Sequence, residues 1–269
     1  MKKTIGILGC GWLGFSLAKS CIAKGYRVHG STTSKEKLRT LENMGIAPFL
    51  IQLQENSING NITDFLKNID SLVINVPPKL RRNPKENFIG KMELLHATLK
   101  KSTVQKLIFV SSTSVYGDME GEITEEAIPA PSTESGKQLL ASEHIFIDNA
   151  ELKTTILRFG GLIGADRHPI SMLSGKTGLS NGNSPVNLIH KDDCIGIILA
   201  IIENDWWGEI FNAVYPLYPL KRQYYSQEAQ KRGLPLPDYG NESLKKGKIV
   251  RPYNLLNVKK YHFKTSIVS

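Results

Sequence analysis

Cysteine is scarce in this chain of 269 residues, and long apolar runs are missing. The three cysteines, Cys10, Cys21 and Cys194, are odd in number and lack the spacing of metal ligands. We therefore expect reduced thiols and no metal site. No apolar run is long enough to span a membrane. The remaining composition is that of an ordinary globular protein with a sizeable core.

Signatures of nucleic-acid binding are also missing, because the sequence has no helix-turn-helix, zinc or RNA-binding motif. Most of the net charge of +9 lies in residues 219–269, which contain eleven Lys or Arg residues and three acidic residues. Such a segment can attract an anionic small molecule, and a solvated basic surface is the alternative. We expect a small-molecule substrate and neither nucleic acid nor a membrane as a partner. The sequence leaves the oligomeric state open.

The stretch from Thr4 to Gly25 carries the strongest pattern. A short apolar run leads into glycines spaced G-x-G-x-x-G, and apolar residues then recur at helical spacing. The pattern predicts a strand, a tight turn and a helix whose free amides receive a pyrophosphate, and a purely structural turn is the alternative. In this interpretation Gly11 lets the backbone approach the pyrophosphate. The expected cofactor contacts in this loop are Gly9, Cys10, Gly11, Trp12, Leu13 and Gly14.

The same stretch has a secretory signal as a second alternative, because Lys2 and Lys3 precede an apolar segment. Three glycines lie within that segment, and Lys19 and Lys24 follow soon after it. These features argue against export, so we expect a cytoplasmic protein.

The second predicted strand, at residues 26–31, ends without an acidic residue. An NAD site usually has Asp or Glu here to bind the ribose 2′-hydroxyl. Hydroxyls beside a lysine suit a 2′-phosphate instead, which favours NADP, with NAD as the alternative. Ser34 could also simply cap the helix that the pattern predicts over residues 35–44. The expected cofactor contacts in this segment are Thr32, Thr33, Ser34 and Lys35.

Further strand and helix patterns alternate along the chain, at residues 47–52, 62–67, 71–75, 88–102 and 106–111. This alternation predicts an α/β fold with a Rossmann-type, doubly wound parallel sheet. Ligands lie beyond the carboxyl ends of the strands in such a sheet. Val76 and Pro77, which end one of these strands, are therefore also expected to contact the cofactor.

A longer motif follows the strand at residues 106–111. Residues 111–117, SSTSVYG, resemble the strand-end motif of extended short-chain dehydrogenases/reductases, the superfamily of nucleotide-sugar epimerases and dehydratases. Three later segments resemble the same superfamily in the expected order, namely LRFGGLIG at 157–164, NLIHKDD at 187–193 and GEIFNA at 208–213. Together these segments cover most of the chain up to about Tyr215.

This resemblance implies a dinucleotide-binding core in residues 1–165. Residues 166–269 would complete the core and form a small C-terminal substrate lobe. Ser112 takes the position of the superfamily's hydrogen-bond donor to the substrate oxygen, although its hydroxyl could instead satisfy a backbone group at the strand end. The implied function is that of an NAD(P)-binding oxidoreductase, epimerase or dehydratase with a small polar, nucleotide-sugar-like substrate.

The chain departs from the superfamily at one important place. Active members carry a Tyr, and a Lys four residues later, on the next helix. Aligning Glu125, Pro131 and Glu143 with the superfamily pattern puts Ser135 at the Tyr position and Leu139 at the Lys position.

A shifted register would keep Thr133 and Lys137 at the two positions, but it breaks the spacings to Pro131 and Glu143. A serine hydroxyl without a neighbouring cation is a poor general acid near neutral pH. The chain thus resembles the atypical branch of the superfamily. We expect an enzyme in which Ser112 binds the reacting oxygen and Ser135 or a bound water relays the proton. The alternative is a protein that binds NADP without turnover, as a sensor or regulator.

The sequence also allows predictions for two polar segments and for the C-terminal residues. Asp192 or Asp193 is expected to cap a helix rather than to hold a metal with His190. Arg158 could contact the substrate or a carboxylate partner. The chain from Asn257 onwards is expected to be loosely held.

Overall fold

The computed structural model describes residues 2–80, 83–240 and 246–268, so residues 241–245 of the basic segment lie outside the described residues. The strands are β1 (Thr4–Leu8), β2 (Arg27–Thr32), β3 (Ala47–Leu50), β4 (Gln52–Leu53), β5 (Ile58–Asn59), β6 (Ser71–Ile74), β7 (Lys106–Ser112), β8 (Gly121–Ile123), β9 (Lys153–Phe159), β10 (Gly161–Ile163), β11 (Leu188–His190), β12 (Ile210–Ala213) and β13 (Lys248–Val250). The helices are α1 (Trp12–Ala23), α2 (Glu36–Asn43), α3 (Ile62–Leu66), α4 (Phe88–Leu99), α5 (Glu134–Ile147), α6 (Ile170–Leu173), α7 (Lys191–Glu203) and α8 (Lys221–Lys231).

Seven strands form the central sheet in the order β12-β9-β7-β6-β1-β2-β3, and all neighbours run parallel. The chain moves from β1 outwards to β2 and β3 on one side, and from β6 outwards to β12 on the other. The direction of winding therefore reverses between β1 and β6, where the carboxyl ends of the strands open a crevice. The predicted α/β fold with a Rossmann-type parallel sheet is confirmed.

Helices cover both faces of the sheet, which explains why the inner strands β1 and β6 are buried at every position. Alternate residues of each strand enter two separate core clusters. Val73 and Ile108 pack on the face that α1 and α7 cover. Ile74 and Phe109 pack on the opposite face, against α4 and α5.

The predicted segments between residues 47 and 111 correspond to β3, α3, β6, α4 and β7, with ends that differ by up to three residues. The alternative role of Ser34, as the cap of α2, is wrong, because α2 follows Lys35 and no side chain caps it. The Ser34 hydroxyl instead contacts the carboxylate of Glu36.

Three short strand pairs lie outside the central sheet. β10 pairs with β11 and β8 with β13, both in parallel, and β4 pairs with β5 in antiparallel fashion. The β8–β13 pair joins the segment after β7 to the C-terminal part of the chain. The division of the chain at residue 165 stays a prediction, since β12 and α7 belong to the central layers.

The C-terminal residues are held firmly, which corrects the expectation of a loose tail from Asn257. Asp193 accepts hydrogen bonds from the amides of residues 264 and 265, at 2.8 and 3.0 Å. The Tyr224 hydroxyl donates to the carbonyl oxygen of Ile267 at 2.9 Å, and the Ile267 side chain is buried. Contacts between such distant parts of the chain leave no periodic signal in the sequence.

The start of α7 also differs from the expectation. Its cap is His190, whose Nδ1 accepts from the amide of Asp192 at 3.2 Å, because Asp193 turns away to hold the tail. The described residues contain no group of three or more His, Cys, Asp or Glu side chains that could hold a metal ion. Within the same ranges, no helix combines the length and apolar character needed to cross a membrane.

Candidate functional site

The glycine turn joins β1 to α1 at the carboxyl edge of the sheet. Gly9 has a φ of +106°, and a Cβ added there would lie 2.5 Å from the carbonyl oxygen of Asn75. A Cβ added at Gly14 would lie 2.1 Å from the carbonyl oxygen of Gly9. The turn and the close packing of α1 on β1 therefore both require glycine.

Gly11 lies in a different environment, since a Cβ added there would meet no atom within 4 Å. Gly11 is exposed, it directly precedes α1, and no side chain caps that helix. The first amides of α1 and the positive end of its dipole therefore point towards solvent. Phosphate oxygens bind at helix ends of this kind.

Polar residues from two neighbouring strands hold the turn in place. At the end of β2, the Ser31 hydroxyl accepts from the Gly9 amide at 2.9 Å, and the Ser31 carbonyl accepts from the Cys10 amide at 2.7 Å. After β6, the Asn75 side-chain amide donates to the Gly9 carbonyl at 3.1 Å. The sequence interpretation included neither Ser31 nor Asn75, although each is a polar residue where a buried strand ends.

The expected contacts within the loop do not all offer polar groups to a ligand. Cys10 and Leu13 are buried in the core, and burial raises the pKa of the Cys10 thiol to about 12. The Cys10 amide already donates to Ser31. Cys10 therefore stabilises the turn and is not available to a ligand. Leu13 can offer a ligand its backbone amide.

The segments after β2 and β6 lie on either side of the glycine turn. Thr32 is buried, and its hydroxyl accepts from the Ser34 amide at 3.2 Å. Thr33 and Lys35 are exposed, which leaves their side chains accessible to a ligand. A Cβ added at Gly9 would also lie 3.2 Å from the Val76 side chain, so Val76 borders the turn. Pro77, the next residue, is exposed.

The serine motif lies two strands away from the glycine turn, at the end of β7. Ser112 precedes a 3-10 turn, Thr113–Tyr116, and its hydroxyl oxygen accepts from the Ser114 amide at 3.1 Å. The Ser112 hydroxyl hydrogen remains able to donate, so both interpretations of this residue fit the structure. A Cβ added at Gly136 would lie 2.7 Å from the Ser114 carbonyl oxygen, which shows that the first turn of α5 lies against the serine motif.

Helix α5 carries the departures from the superfamily pattern. Ser135 is half-buried near the serine motif. Ser112 and Ser135 both lie in the described part of the chain, and no hydrogen bond joins them. Leu139 is buried in the apolar core and cannot supply the charge that would lower the pKa of a hydroxyl. In the shifted register, Lys137 is exposed and the Thr133 hydroxyl caps α5.

A buried polar network lies directly below the serine motif. Glu143 and Arg158 form an ion pair with 2.6 Å between Oε2 and Nη2, and neither side chain is more than 4% exposed. Ser111 donates to Glu143 at 2.5 Å. Arg158 also donates to the Tyr116 hydroxyl at 2.8 Å, which in turn donates to Asn212 at 2.9 Å. Of the two roles considered for Arg158, the structure shows the pairing with a carboxylate.

Trp12 links the glycine turn to the segment after β10. Its indole nitrogen donates to the Asp166 carboxylate at 2.8 Å, and this hydrogen bond lowers the pKa of Asp166. The cationic groups of Arg167 and Lys191 lie 5.0 and 4.9 Å from the centre of the Trp12 ring. Two cations therefore lie near the first turn of α1, and the sequence pattern did not indicate either of them.

Known proteins are similar to this chain in sequence as well as in fold. The model of the NAD dependent epimerase/dehydratase family matches residues 5–213. Protein YeeZ of Escherichia coli strain K12 is 34% identical over 261 residues, which are 96% of this chain and 94% of YeeZ.

Two solved structures illustrate the likeness in fold. UDP-glucuronic acid 4-epimerase from Bacillus cereus, in complex with NAD, has a TM-score of 0.79 and 20% identity, covering 98% of this chain and 92% of that one. A short-chain dehydrogenase/reductase superfamily protein from Agrobacterium tumefaciens, with bound NAD, has a TM-score of 0.78 and 15% identity, covering 98% and 93% of the two chains. The resemblance expected from the sequence motifs is confirmed, and the chain belongs to the NAD dependent epimerase/dehydratase family.

Proposed function

We propose that the protein binds a pyridine dinucleotide across the carboxyl edge of the sheet and uses it in an epimerase, dehydratase or reductase reaction. The observation that carries this proposal is the open backbone at Gly11 beside the uncapped start of α1. The amides of residues 11–14 would hold the pyrophosphate, while Ser31 and Asn75 keep the turn in shape. Titration of the protein with NADPH, followed by nucleotide fluorescence, tests this binding directly.

The proposed substrate is a small polar molecule of the nucleotide-sugar type. The Bacillus cereus epimerase has been solved with UDP-glucuronic acid and NAD together, and that chain shares the fold over nearly its full length. In this protein, Ser112 lies at the end of β7, on the same edge of the sheet as the glycine turn. A substrate bound there would lie over the carboxyl ends of β7 and β9.

We propose NADP as the preferred cofactor, with Lys35 near its 2′-phosphate. Lys35→Glu should weaken NADPH binding by about tenfold and leave NADH binding unchanged or stronger, because the new carboxylate repels the phosphate and suits a free 2′-hydroxyl. Fluorescence titration with both nucleotides measures the change. Lys100→Glu, at an exposed position just after α4, is the matched control. Equal losses for NADPH and NADH in Lys35→Glu would contradict this assignment.

A nicotinamide bound at this edge of the sheet would supply the hydride chemistry of the proposed reaction. Ser112 donates its hydroxyl hydrogen to the reacting oxygen of the substrate, using the hydrogen that its contact with Ser114 leaves available. Ser135, or a water that it holds, passes the proton to or from that oxygen. The network of Glu143 and Arg158 fixes the end of β7 through Ser111.

Ser135→Ala tests the proton path. With UDP-glucose and UDP-glucuronic acid as trial substrates, we expect turnover to fall by about 100-fold, because general acid–base catalysis contributes on that scale. NADPH affinity should not change. Ser132→Ala, at an exposed position just before α5, is the matched control. Unchanged turnover in Ser135→Ala would remove this residue from the proton path.

A second function, binding of NADP without turnover, is favoured by one observation. Leu139 places a buried apolar side chain where active members of the superfamily carry a lysine, so no cation from α5 supports Ser135. A sensor would bind NADPH tightly and show no hydride transfer with either trial substrate. Measurable hydride transfer by the wild-type protein would exclude this second function.

A further inference from the structure

Lys248 lies at the carboxyl edge of the sheet, next to the serine motif. It is the first residue of β13, and its ammonium group donates to the carbonyl oxygens of Thr113, at 3.2 Å, and Gly117. Thr113 directly follows Ser112. A basic side chain from the C-terminal part of the chain therefore reaches the place where the substrate is proposed to bind.

Lys221 lies on another element, near the start of β13. It is the first residue of α8, and its amide donates to the Ser184 carbonyl at 2.9 Å. Ser184 also contacts the start of β13, because a Cβ added at Gly247 would lie 2.8 Å from its side chain. Lys221 and Lys248 thus flank one short segment. Burial lowers the pKa of both ammonium groups, and the charge of Lys221 lowers that of Lys248 further.

Neither ammonium group forms an ion pair within the described part of the chain. No described carboxylate lies within 4 Å of either ammonium group, and Asp118 acts on Lys248 only from a longer distance. The first turn of α8 has no acidic residue and no side-chain cap, yet it begins with Lys221 and Arg222. Cations at the start of a helix oppose its dipole, and partly buried charges are costly unless they are paired. An anion would relieve both costs.

We propose that Lys221 and Lys248 form an anion subsite that holds a phosphate or carboxylate group of the substrate. Only the identification of this anion as part of the substrate rests on the proposed function, because anion binding itself requires no cofactor. An anionic group held beside Thr113 would orient the rest of the molecule towards Ser112. The subsite also gives a specific role to part of the basic C-terminal segment.

Calorimetric titration with inorganic phosphate and with malonate, at low ionic strength, tests the subsite. We expect Lys221→Gln to weaken binding of at least one of the two anions by about tenfold or more, since a partly desolvated charged contact is lost. Lys100→Gln is the matched control for the change in net charge. The anion that shows the larger loss identifies the group as phosphate or carboxylate. Equal binding of both anions by wild type and Lys221→Gln would overturn the proposal.

Lys248 provides a second pair of variants. Lys248→Gln should weaken anion binding as Lys221→Gln does, while Lys248→Arg should retain most of it because the charge is kept. Lys248 also donates to two backbone carbonyl oxygens, and the loss of these bonds can affect folding. If Lys248→Gln does not fold, Lys221→Gln alone decides the test.

NADPH titration of the same proteins separates this proposal from the proposed function. The subsite requires normal NADPH affinity in Lys221→Gln together with weaker anion binding. If no protein binds NADPH but anion binding still depends on Lys221, the dinucleotide proposal fails and the subsite stands. If NADPH binds normally and neither lysine affects anion binding, the subsite fails and the dinucleotide proposal stands.

Discussion

Gly11→Val should abolish dinucleotide binding while the protein remains folded. The backbone at Gly11 has a φ of −83°, outside the left-handed region, and a Cβ there meets no protein atom within 4 Å. The added side chain would occupy the space through which the pyrophosphate approaches the amides of α1. We expect NADPH affinity to fall by about 100-fold or more, because hydrogen bonds to a charged group are worth about 1.5–3 kcal/mol each and at least one or two would be lost. Fluorescence titration and thermal unfolding, measured together, check both parts.

Gly14→Val is the informative contrast, because it lies in the same loop but should fail for another reason. A Cβ at Gly14 would lie 2.1 Å from the Gly9 carbonyl, so this variant should lose its fold and not only its ligand. Gly11→Val with the affinity of the wild type would remove the glycine turn from the binding site.

Breaking the buried pair of Glu143 and Arg158 should produce a large loss of stability. Both side chains are almost fully buried, and each is hydrogen-bonded to further groups of the serine motif. Arg158→Met would leave the Glu143 carboxylate buried without its cation. We expect the free energy of unfolding to fall by about 3–5 kcal/mol, as is usual when one partner of a buried pair is removed. Denaturation by urea, followed by far-UV circular dichroism, measures the change.

Two further variants show whether burial is the cause. The double variant Glu143→Leu with Arg158→Met should recover part of the lost stability, because no charge is left alone in the interior. Glu122→Gln breaks the exposed pair with Arg251 and should cause no measurable loss. Arg158→Met with the stability of the wild type would show that this pair does not support the fold.

Local patterns were sufficient to predict the central sheet and the glycine turn. Strands β1 and β6 are short apolar runs, and the turn needs glycine at Gly9 and Gly14 because a Cβ at either position would meet a backbone carbonyl oxygen. The residues that form the frame of the site come from distant parts of the chain. Ser31 and Asn75 hold the turn from the ends of β2 and β6, the strands on either side of β1. No local periodicity in the sequence identifies which strands are neighbours in the sheet.

The pairings of charged residues could not be predicted for the same reason. The sequence did not decide between a substrate contact and a carboxylate partner for Arg158, because its partner Glu143 lies on another element. The capping expectation for α7 was wrong, because Asp193 bonds amides in the C-terminal tail instead. A sequence signal does exist for the anion subsite: Lys221 and Arg222 open a helix that has no acidic residue in its first turn.

The most direct test of dinucleotide binding at the glycine turn is a crystal structure of the protein with NADPH. The pyrophosphate oxygens should lie within hydrogen-bonding distance of amides among residues 11–14, with the 2′-phosphate near Lys35 and the nicotinamide towards Ser112. Nucleotide density elsewhere on the protein, with the start of α1 left bare at saturating NADPH, would contradict this account of the site.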